Sequence, residues 1–138
     1  MDDDQSLIEA LARRMYPYRH RWEMAFTISP SSAVRLLEEW EDADLILVTD
    51  WKMPGLSGVE LARLASMRSR SGNQVVSEIY TILTSGNLGP GHASKVHRSF
   101  SHDSAYVHDV IDKPFNLETL LEKICVGQHA LQTLRLVG

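Results

Sequence analysis

Hydrophobic residues along this chain follow two spacings, one typical of helices and one typical of buried strands. From Ser6 to Met15 apolar residues recur three or four positions apart, which predicts an amphipathic helix ending before Pro17. The stretch from Ala43 to Thr49 is instead almost continuously apolar, as in a parallel strand that is covered by helices on both faces. The chain is therefore expected to combine helices with a buried parallel sheet.

The same two patterns recur toward the carboxyl terminus. Further helices are predicted where the sequence carries N-terminal capping signals, at Ser29-Pro30, Ser57–Glu60 and Asn116. Further strands are predicted over residues 22–27, 79–84 and 107–112, with a weak helix between 92 and 100. This alternation implies a three-layer α/β/α fold, in which ligands bind at the carboxyl ends of the parallel strands.

Composition narrows the class of protein without deciding its chemistry. The chain has 138 residues, enough for one domain, and its net charge of −4 argues against a nucleic-acid binder that depends on bulk charge. The only cysteine, Cys125, excludes an internal disulfide and is expected to be a buried, inert thiol. No apolar run is long enough to span a membrane, and the acidic first residues do not resemble a signal peptide. A cytoplasmic protein is the expectation.

Candidate chemistry collects where the predicted strands end. Asp50, Thr84 and Lys113 each lie where a strand meets a loop, and Asp2 and Asp3 precede the first helix. Carboxylates crowded at one edge repel one another unless a cation neutralises them, and Mg²⁺ suits such a site. A neighbouring lysine and hydroxyl suit a bound phosphoryl group, and carboxylates are known nucleophiles in aspartyl-phosphate chemistry. The pattern favours phosphoryl transfer to Asp50.

Four blocks, in order along essentially the whole chain, resemble the signatures of response-regulator receiver domains. They are Asp2-Asp3, Asp50-Trp-Lys-Met-Pro-Gly-Leu-Ser-Gly58, Thr84-Ser85 and Lys113-Pro114-Phe115. The resemblance implies the flavodoxin-like (CheY-like) fold, a doubly wound parallel sheet. Residues 22–27 and 57–61 are also similar to receivers fused to HDOD or HD-GYP output modules.

The resemblance also implies a role for each matching residue at the metal site. Asp50 takes a phosphoryl group from a phosphohistidine of a sensor histidine kinase or a phosphotransfer protein. Asp3 and Asp50 are the expected Mg²⁺ ligands, Asp2 contributes through water, and the backbone carbonyl of Lys52 supplies another oxygen.

Further along the chain, the resemblance assigns residues to binding and switching. Lys113 is expected to pair with the phosphoryl group, and a cis peptide bond is expected before Pro114. Thr84 is expected to move toward the phosphoryl group and to shift a surface that meets a downstream effector or output domain. Ser85 is the alternative for this hydroxyl.

The expected organisation is a receiver domain over residues 1–126 and a helical extension or linker over residues 127–138. The stretch from Gln128 to Val137 is expected to extend the last helix, as a linker or as a contact in a homodimer. Direct binding to nucleic acid or to a membrane is not expected. The function implied is that of a signalling switch and not of an enzyme.

Two departures from the receiver pattern keep alternatives open. Receivers begin with an apolar strand before the acidic pair, whereas this sequence starts at Met1. A later start than in the natural protein, a four-stranded sheet, and an edge supplied by another chain are the three explanations. Val110 also stands where receivers carry an aromatic residue.

These departures motivate a second functional reading, a receiver-like interaction module that does not use phosphate. A phosphatase of the haloacid-dehalogenase type is a third reading. Its Asp-x-Asp motif would place an acid at position 52, where this chain has Lys52, and this speaks against efficient turnover.

Overall fold

A computed structural model of the chain describes residues 1–40, 43–68, 78–86 and 106–137, with the side chains of Arg68 and of residues 133–137 left out. The helices are α1 (Gln5–Met15), α2 (Pro30–Glu39), α3 (Gly58–Arg68) and α4 (Leu117–Val137), and a 3-10 turn covers Tyr16–Tyr18. The strands are β1 (Leu45–Asp50), β2 (Ile79–Ser85) and β3 (Asp109–Asp112). The weak helix expected between residues 92 and 100 lies outside the described residues.

Helix starts lie where the sequence placed them. Ser57 and Glu60 form a reciprocal capping box, in which each side chain accepts a hydrogen bond from the other's backbone N–H, at 2.9 and 3.2 Å. The Asn116 side chain accepts from the backbone N–H of Thr119 at 2.8 Å. Ser29 caps α2 immediately before Pro30. These side chains satisfy backbone donors that have no partner within the helix.

The described sheet has three parallel strands in the order β1-β2-β3. Asp50 at the end of β1 lies opposite Thr84 of β2, and Thr84 lies opposite Ile111 of β3. The carboxyl ends of the strands therefore meet along one edge of the sheet, which is the edge where the candidate residues were expected.

Helices cover both faces of this sheet. On one face, buried residues at the end of α1 and in α4 pack against β2 and β3, in a cluster of Met15, Ile82, Ile111, Leu120 and Ile124. On the opposite face α2 and α3 form a second cluster of Ala33, Leu37, Leu61 and Ala65. Neighbouring residues of β1 divide between these clusters, because side chains alternate along a strand. The three-layer α/β/α prediction is confirmed.

The predicted strand over residues 22–27 is wrong. This segment has no strand structure, and one backbone hydrogen bond connects it to the amino terminus, from the Asp2 N–H to the Thr27 carbonyl at 3.3 Å. A strand needs a neighbouring strand to complete its hydrogen bonds, and within the described residues Met1 and Asp2 are the backbone that connects this segment to β1. The alternation of large apolar with smaller or polar residues in this segment is typical of a strand, but Met1 and Asp2 are too short a partner for it.

Two expectations concern helix α4, namely the burial of Cys125 and a domain boundary between residues 126 and 127. Cys125 is exposed and not buried, because the buried stripe of α4 runs through Leu120, Ile124 and Leu131. The helix continues without interruption from Leu117 to Val137, so the division between residues 126 and 127 stays a prediction. None of the helices in the described part of the chain is long and apolar enough to cross a membrane.

Candidate functional site

Three strand ends position the candidate side chains. Asp50 ends β1 and lies directly opposite Thr84, so both side chains lie on the same face of the sheet. Lys113 follows β3, and its backbone N–H donates to the Ser85 carbonyl at 2.7 Å. The backbone N–H of Trp51 donates to the Thr84 carbonyl at 2.8 Å. The parallel pairing thus continues past the strands and fixes the loop residues that carry the site.

Lys113 bridges two buried carboxylates. Its Nζ lies 2.5 Å from Oδ2 of Asp2 and 3.3 Å from Oδ1 of Asp50. Asp2 is 4% exposed and Asp50 is 8% exposed, so neither negative charge is well hydrated. One ammonium shared between two carboxylates leaves a net negative charge of one on these three groups, which attracts a further cation.

The backbone of Met1 is what holds Asp2 in place. The amino group of Met1 donates to the Val48 carbonyl at 2.7 Å, and the Met1 carbonyl accepts from the N–H of Asp50 at 2.9 Å. Asp2 then accepts a hydrogen bond from the N–H of Asp4 at 2.9 Å. Sequence reasoning missed the role of Met1, because backbone pairing with a distant strand leaves no side-chain signal.

A divalent cation fits the acidic cluster. Asp2, Asp3 and Asp50 each offer one carboxylate oxygen, and these oxygens lie within 4.8 Å of one another. Carboxylate oxygens are the donors that Mg²⁺ prefers, and Mg²⁺ keeps several waters. Asp3 is exposed, which leaves room for such waters on its side of the cluster. The residues present therefore suit Mg²⁺ with few protein ligands.

Burial and neighbouring charges shift the pKa values of this cluster. Burial raises the pKa of the Asp50 carboxyl and Asp2 adds to the rise, while the positive charge of Lys113 opposes it. Burial alone would lower the pKa of Lys113, but the hydrogen bond and charge of Asp2, together with the charge of Asp50, leave it raised. Burial lowers the pKa of the Met1 amino group to about 6. Lys113 therefore stays charged beside the carboxylates at neutral pH.

The register separates the two hydroxyls that the sequence left as alternatives. Thr84 lies opposite Asp50, whereas Ser85 is the next residue and its side chain lies on the other face of the sheet. Thr84 is 3% exposed, and its hydroxyl donates to the Thr49 carbonyl over 3.5 Å, a long and weak hydrogen bond. The geometry favours Thr84 over Ser85 as the hydroxyl beside Asp50, and its role stays a prediction.

The loop after β1 packs closely against Asp50. A Cβ added at Gly58 would lie 2.2 Å from the Asp50 carbonyl oxygen, so a side chain at this position has no room. The Lys52 ammonium lies 4.9 Å from the centre of the Trp51 ring. Lys52 is thus in the loop where the sequence placed it, and the part of its carbonyl in metal binding stays a prediction.

Two further expectations concern the segment around β3. The Lys113–Pro114 peptide bond is cis, as expected. Val110 is 9% exposed and packs with Val59, Leu83 and Val107. Val110 thus lies in the core. Two residues before it, the ring of His108 stacks on the ring of Tyr80, with the ring centres 4.8 Å apart.

Two solved structures share this architecture. A response regulator receiver domain protein from Clostridium thermocellum matches with a TM-score of 0.70 and 18% identity, over 99% of this chain and 94% of that one. The signal receiver domain of a protein assigned as a Luxo repressor, from Vibrio parahaemolyticus, matches with a TM-score of 0.69 and 15% identity, over 99% and 92% of the two chains. No family model and no curated protein matches the chain. The fold of the chain is that of CheY-like receiver domains, and the likeness to receivers with HDOD or HD-GYP modules stays a prediction.

Proposed function

We propose that this protein is a receiver of two-component signalling, in which Asp50 accepts a phosphoryl group from a histidine kinase or phosphotransfer protein. The observation that carries the proposal is the environment of Asp50, a buried carboxylate between Lys113 and the acids of the amino terminus. A carboxylate held this way at the carboxyl edge of a parallel sheet is placed to act on a ligand. The protein acts as a switch in the cytoplasm, and catalytic turnover is not its task.

In the proposed reaction, a carboxylate oxygen of Asp50 attacks the phosphorus atom of a phosphohistidine. A P–O bond forms while the P–N bond breaks, and the imidazole of the donor leaves with the electron pair. Lys113, 3.3 Å from Asp50, pairs with the phosphoryl oxygens and offsets their charge. This requires Lys113 to loosen its contact with Asp2.

Mg²⁺, when bound, supplies the positive charge that lets a carboxylate approach an anionic phosphoryl group. Asp2, Asp3 and Asp50 are its proposed carboxylate ligands, with the Lys52 carbonyl as another oxygen donor. Asp2 serves both Lys113 and the cation in this scheme. Phosphorylation is therefore expected to redistribute the contacts of Asp2, because Lys113 turns toward the new anion.

The signal leaves the site through Thr84 and the surface beside it. The weak hydrogen bond from Thr84 to the Thr49 carbonyl is easily exchanged for one to a phosphoryl oxygen. The resulting shift between two arrangements of the β3 and α4 surface is read by a downstream effector protein or output domain. Because Val110 replaces the usual aromatic residue, this coupling uses other contacts.

A phosphorylation-independent interaction module is the second candidate function. The specific observation that favours it is the close ion pair between Lys113 and Asp2, since both groups satisfy each other without any ligand. In that case the described three-stranded sheet and its helices serve as a docking scaffold, and Asp50 has only a structural role.

Trp51 adjoins Asp50 and offers a fluorescence signal that distinguishes the two functions. We would follow its emission while adding Mg²⁺ and then beryllofluoride, which stands in for the phosphoryl group of an aspartyl-phosphate. The Trp51→Phe variant shows how much of the emission comes from Trp22 and Trp40, so that the part due to Trp51 can be assigned. A saturable change that needs Mg²⁺ and disappears in Asp50→Asn supports the phospho-acceptor. A folded protein whose Trp51 emission does not change supports the phosphorylation-independent interaction module.

A further inference from the structure

Positive charge is concentrated in the turn that follows α1. Residues 10–22 contain Arg13, Arg14, Arg19 and Arg21 and no acidic residue. All four side chains are exposed, and we name the surface that they form the arginine corner. These arginines contribute +4 to a chain whose net charge is −4, so the remaining residues together carry −8. The arginine corner is therefore a basic patch on an otherwise acidic protein.

The backbone winds tightly through this segment. The last turn of α1 carries the first two arginines, and the 3-10 turn follows directly. The N–H of Arg19 then donates to the Tyr16 carbonyl at 3.2 Å, and the N–H of Arg21 donates to the Tyr18 carbonyl at 2.9 Å. These successive turns keep the four arginines close together, at the end of α1 that lies away from the acidic cluster.

Two of the guanidinium groups lie over aromatic rings. Cζ of Arg19 is 3.9 Å from the centre of the Tyr16 ring, and Nη1 of Arg19 donates to the Tyr16 carbonyl at 3.0 Å. Cζ of Arg21 is 5.0 Å from the centre of the Trp22 ring, and Nε1 of Trp22 donates to Oε1 of Gln128 at 3.3 Å. A stacked guanidinium is held in position and still presents N–H groups along its edge to a carboxylate. These two arginines therefore bind an anion with little loss of side-chain freedom.

No carboxylate in the described part of the chain forms an ion pair with these four arginines. The carbonyl groups at the end of a helix favour cations, and this accounts for the positions of Arg13 and Arg14. Arg21 lies beyond that end, and its side chain forms no hydrogen bond within the same part of the chain. Helix capping thus leaves most of the guanidinium N–H groups available to a ligand.

The aromatic rings beside these arginines already have stacking partners. Proteins bind single-stranded nucleic acids by stacking successive bases on open aromatic faces. Arg19 already lies over the Tyr16 ring. Arg21 lies over the Trp22 ring, which also stacks with the ring of Tyr18, with the ring centres 5.9 Å apart. A ligand that needs open aromatic rings is therefore disfavoured.

An extended polyanion or a charged membrane also fits the arginine corner poorly. Beyond the corner it would meet the remaining residues, whose net charge is −8, and charges within about 8 Å still interact at physiological salt. A helix that lies on a membrane inserts an exposed apolar face, whereas Ile8 and Met15 on the apolar side of α1 are buried. A short acidic peptide segment is small enough to bind at the corner without this repulsion.

We propose that the arginine corner binds a short acidic segment of a partner protein, whose carboxylates pair with the guanidinium groups of Arg19 and Arg21. Each pair uses the two parallel N–H donors of a guanidinium, a geometry that suits a carboxylate. The 11 residues of α1, about 16 Å in length, separate the corner from Asp2 and Asp3. The proposal therefore goes beyond the proposed function and does not depend on phosphorylation of Asp50.

The test measures the fluorescence anisotropy of a labelled and amidated peptide, Gly-Asp-Glu-Asp-Glu-Asp-Gly, while the full chain is added without Mg²⁺. We expect saturable one-to-one binding at low salt that weakens at physiological salt, because salt screens exposed ion pairs. The matched control peptide carries Asn and Gln in place of Asp and Glu, and we expect it not to bind. Equal binding of the two peptides would overturn the proposal.

Variants of the protein locate the binding at the arginine corner. Arg19→Gln combined with Arg21→Gln is expected to weaken the binding of the acidic peptide about tenfold, through the loss of two ion pairs. The control combines Arg35→Gln with Arg63→Gln, which removes the same charge from exposed positions on α2 and α3. We expect this control to lose less than about twofold. Equal losses in the two double variants would contradict a local site.

A second pair of variants separates geometry from charge. Arg19→Lys combined with Arg21→Lys keeps both positive charges but removes the planar group that binds a carboxylate with two donors. We expect about a threefold loss of affinity for the acidic peptide, and an unchanged affinity would exclude the paired geometry. Asp50→Asn is expected to bind the peptide normally, which separates this inference from the proposed function.

Three further results contradict the proposal. The first is failure of the acidic peptide to bind at low salt. The second is tighter binding of a single-stranded oligonucleotide, or of vesicles that contain phosphatidylglycerol, that the Arg19→Gln and Arg21→Gln double variant loses. That outcome would assign the arginine corner to a nucleic acid or to a membrane. The third is self-association of the chain, measured by sedimentation, that the acidic peptide reverses, because it would assign the corner to a second copy.

Discussion

At the scale of single residues, the charges around Lys113 differ from those on the rest of the surface. Lys113 lies between two carboxylates that are almost fully buried, whereas Lys123 forms a 2.9 Å ion pair with Asp109 at the more exposed edge of α4. Removing one partner of a buried pair leaves an uncompensated charge, while an exposed pair is screened by water. The two lysines therefore form a matched comparison.

We predict that Lys113→Ala lowers the free energy of unfolding by about 1–3 kcal/mol, because Asp2 and Asp50 are left to repel each other in a buried site. Lys123→Ala is expected to lower it by less than about 1 kcal/mol. Urea unfolding at pH 7 measures both. Equal losses in the two variants would contradict a buried charge cluster at Lys113.

His108 makes stability depend on pH. Its Nδ1 accepts the backbone N–H of Thr81 at 3.0 Å, so the neutral ring fits the fold and a protonated ring does not. Burial lowers the pKa of His108 from the usual 6.5, and the charge of Glu78 only partly opposes this. Between pH 6.5 and the lower pKa of the folded state, the unfolded chain binds a proton at His108 that the folded chain does not bind. Stability is thus full above pH 6.5 and falls as pH drops toward the folded pKa.

We predict that His108→Gln reduces the loss of stability between pH 7.5 and pH 5.5. The glutamine has no titrating proton, so the variant lacks the difference in proton uptake that His108 contributes. Urea unfolding at the two pH values gives the comparison, with the wild type as reference for every other titrating group. A variant whose pH dependence matches that of the wild type would exclude this role for His108.

At the scale of elements, the start of α3 is pressed against the end of β1. The Gly58 N–H donates to the Trp51 carbonyl at 2.9 Å, and a Cβ at this position would overlap the Asp50 carbonyl oxygen. The contact joins a helix to the loop that carries the proposed acceptor. Position 58 therefore constrains both the packing of α3 and the geometry of Asp50.

We predict that Gly58→Ala lowers the free energy of unfolding by about 1–3 kcal/mol, the usual result of overpacking, and shifts the backbone of Asp50. The control is Gly86→Ala, because a Cβ at position 86 meets no atom within 4 Å. Thermal unfolding and amide NMR shifts of the β1 loop are the measurements. Normal stability and unchanged shifts in Gly58→Ala would contradict a close approach of position 58 to the Asp50 carbonyl.

Helix α4 belongs to the core beyond residue 126. Leu131 is 6% exposed, and Gly127 lies so close to Tyr80 of β2 that an added Cβ would be 2.6 Å from its ring. The first part of the extension proposed for residues 127–138 thus packs on the sheet. The contact with β2 ties this part of α4 to the rest of the domain.

We predict that Leu131→Ala lowers the free energy of unfolding by about 2–5 kcal/mol, through lost burial and the cavity that remains. Val126→Ala is the control, since Val126 is 56% exposed and little burial is lost there. Chemical denaturation of both variants is the measurement. A Leu131→Ala variant as stable as Val126→Ala would mean that the extension does not support the domain.

At the scale of the whole molecule, the amino terminus links the proposed metal site to the layered core. Met1 packs against the cluster of α2 and α3 and its backbone pairs with β1, while the Asp2 N–H donates to the Thr27 carbonyl in the segment that precedes α2. Asp2 and Asp3 follow at once, so a cation bound there ties together the amino terminus and the end of β1. Bound cation is expected to stabilise the entire fold, because the unfolded chain does not assemble these ligands.

We predict that Mg²⁺ raises the Tm, with a gain of about 2.7 kcal/mol when its concentration is a hundred times the Kd. Asp3→Asn is expected to weaken this response while leaving the Tm without Mg²⁺ unchanged, because Asp3 is exposed and its charge is hydrated. Calorimetry with and without Mg²⁺, at constant ionic strength, measures both effects. A rise in Tm of the same size with K⁺ alone would exclude a site that is specific for Mg²⁺.

Much of this organisation was determined by the sequence alone. Capping residues such as Ser57 and Asn116 and the apolar run of β1 predicted elements that the structure contains. These features depend on neighbours within about four residues, so the local sequence carries the information.

Tertiary structure decided the remaining questions. Whether residues 22–27 form a strand, whether Asp2 or Asp3 is buried, and which of Thr84 and Ser85 lies beside Asp50 depend on partners far along the chain. The exposure of Cys125 likewise follows from which face of α4 meets the sheet. A residue's own sequence neighbourhood cannot specify a distant hydrogen-bond partner or a packing face, because both are set only when separate elements assemble.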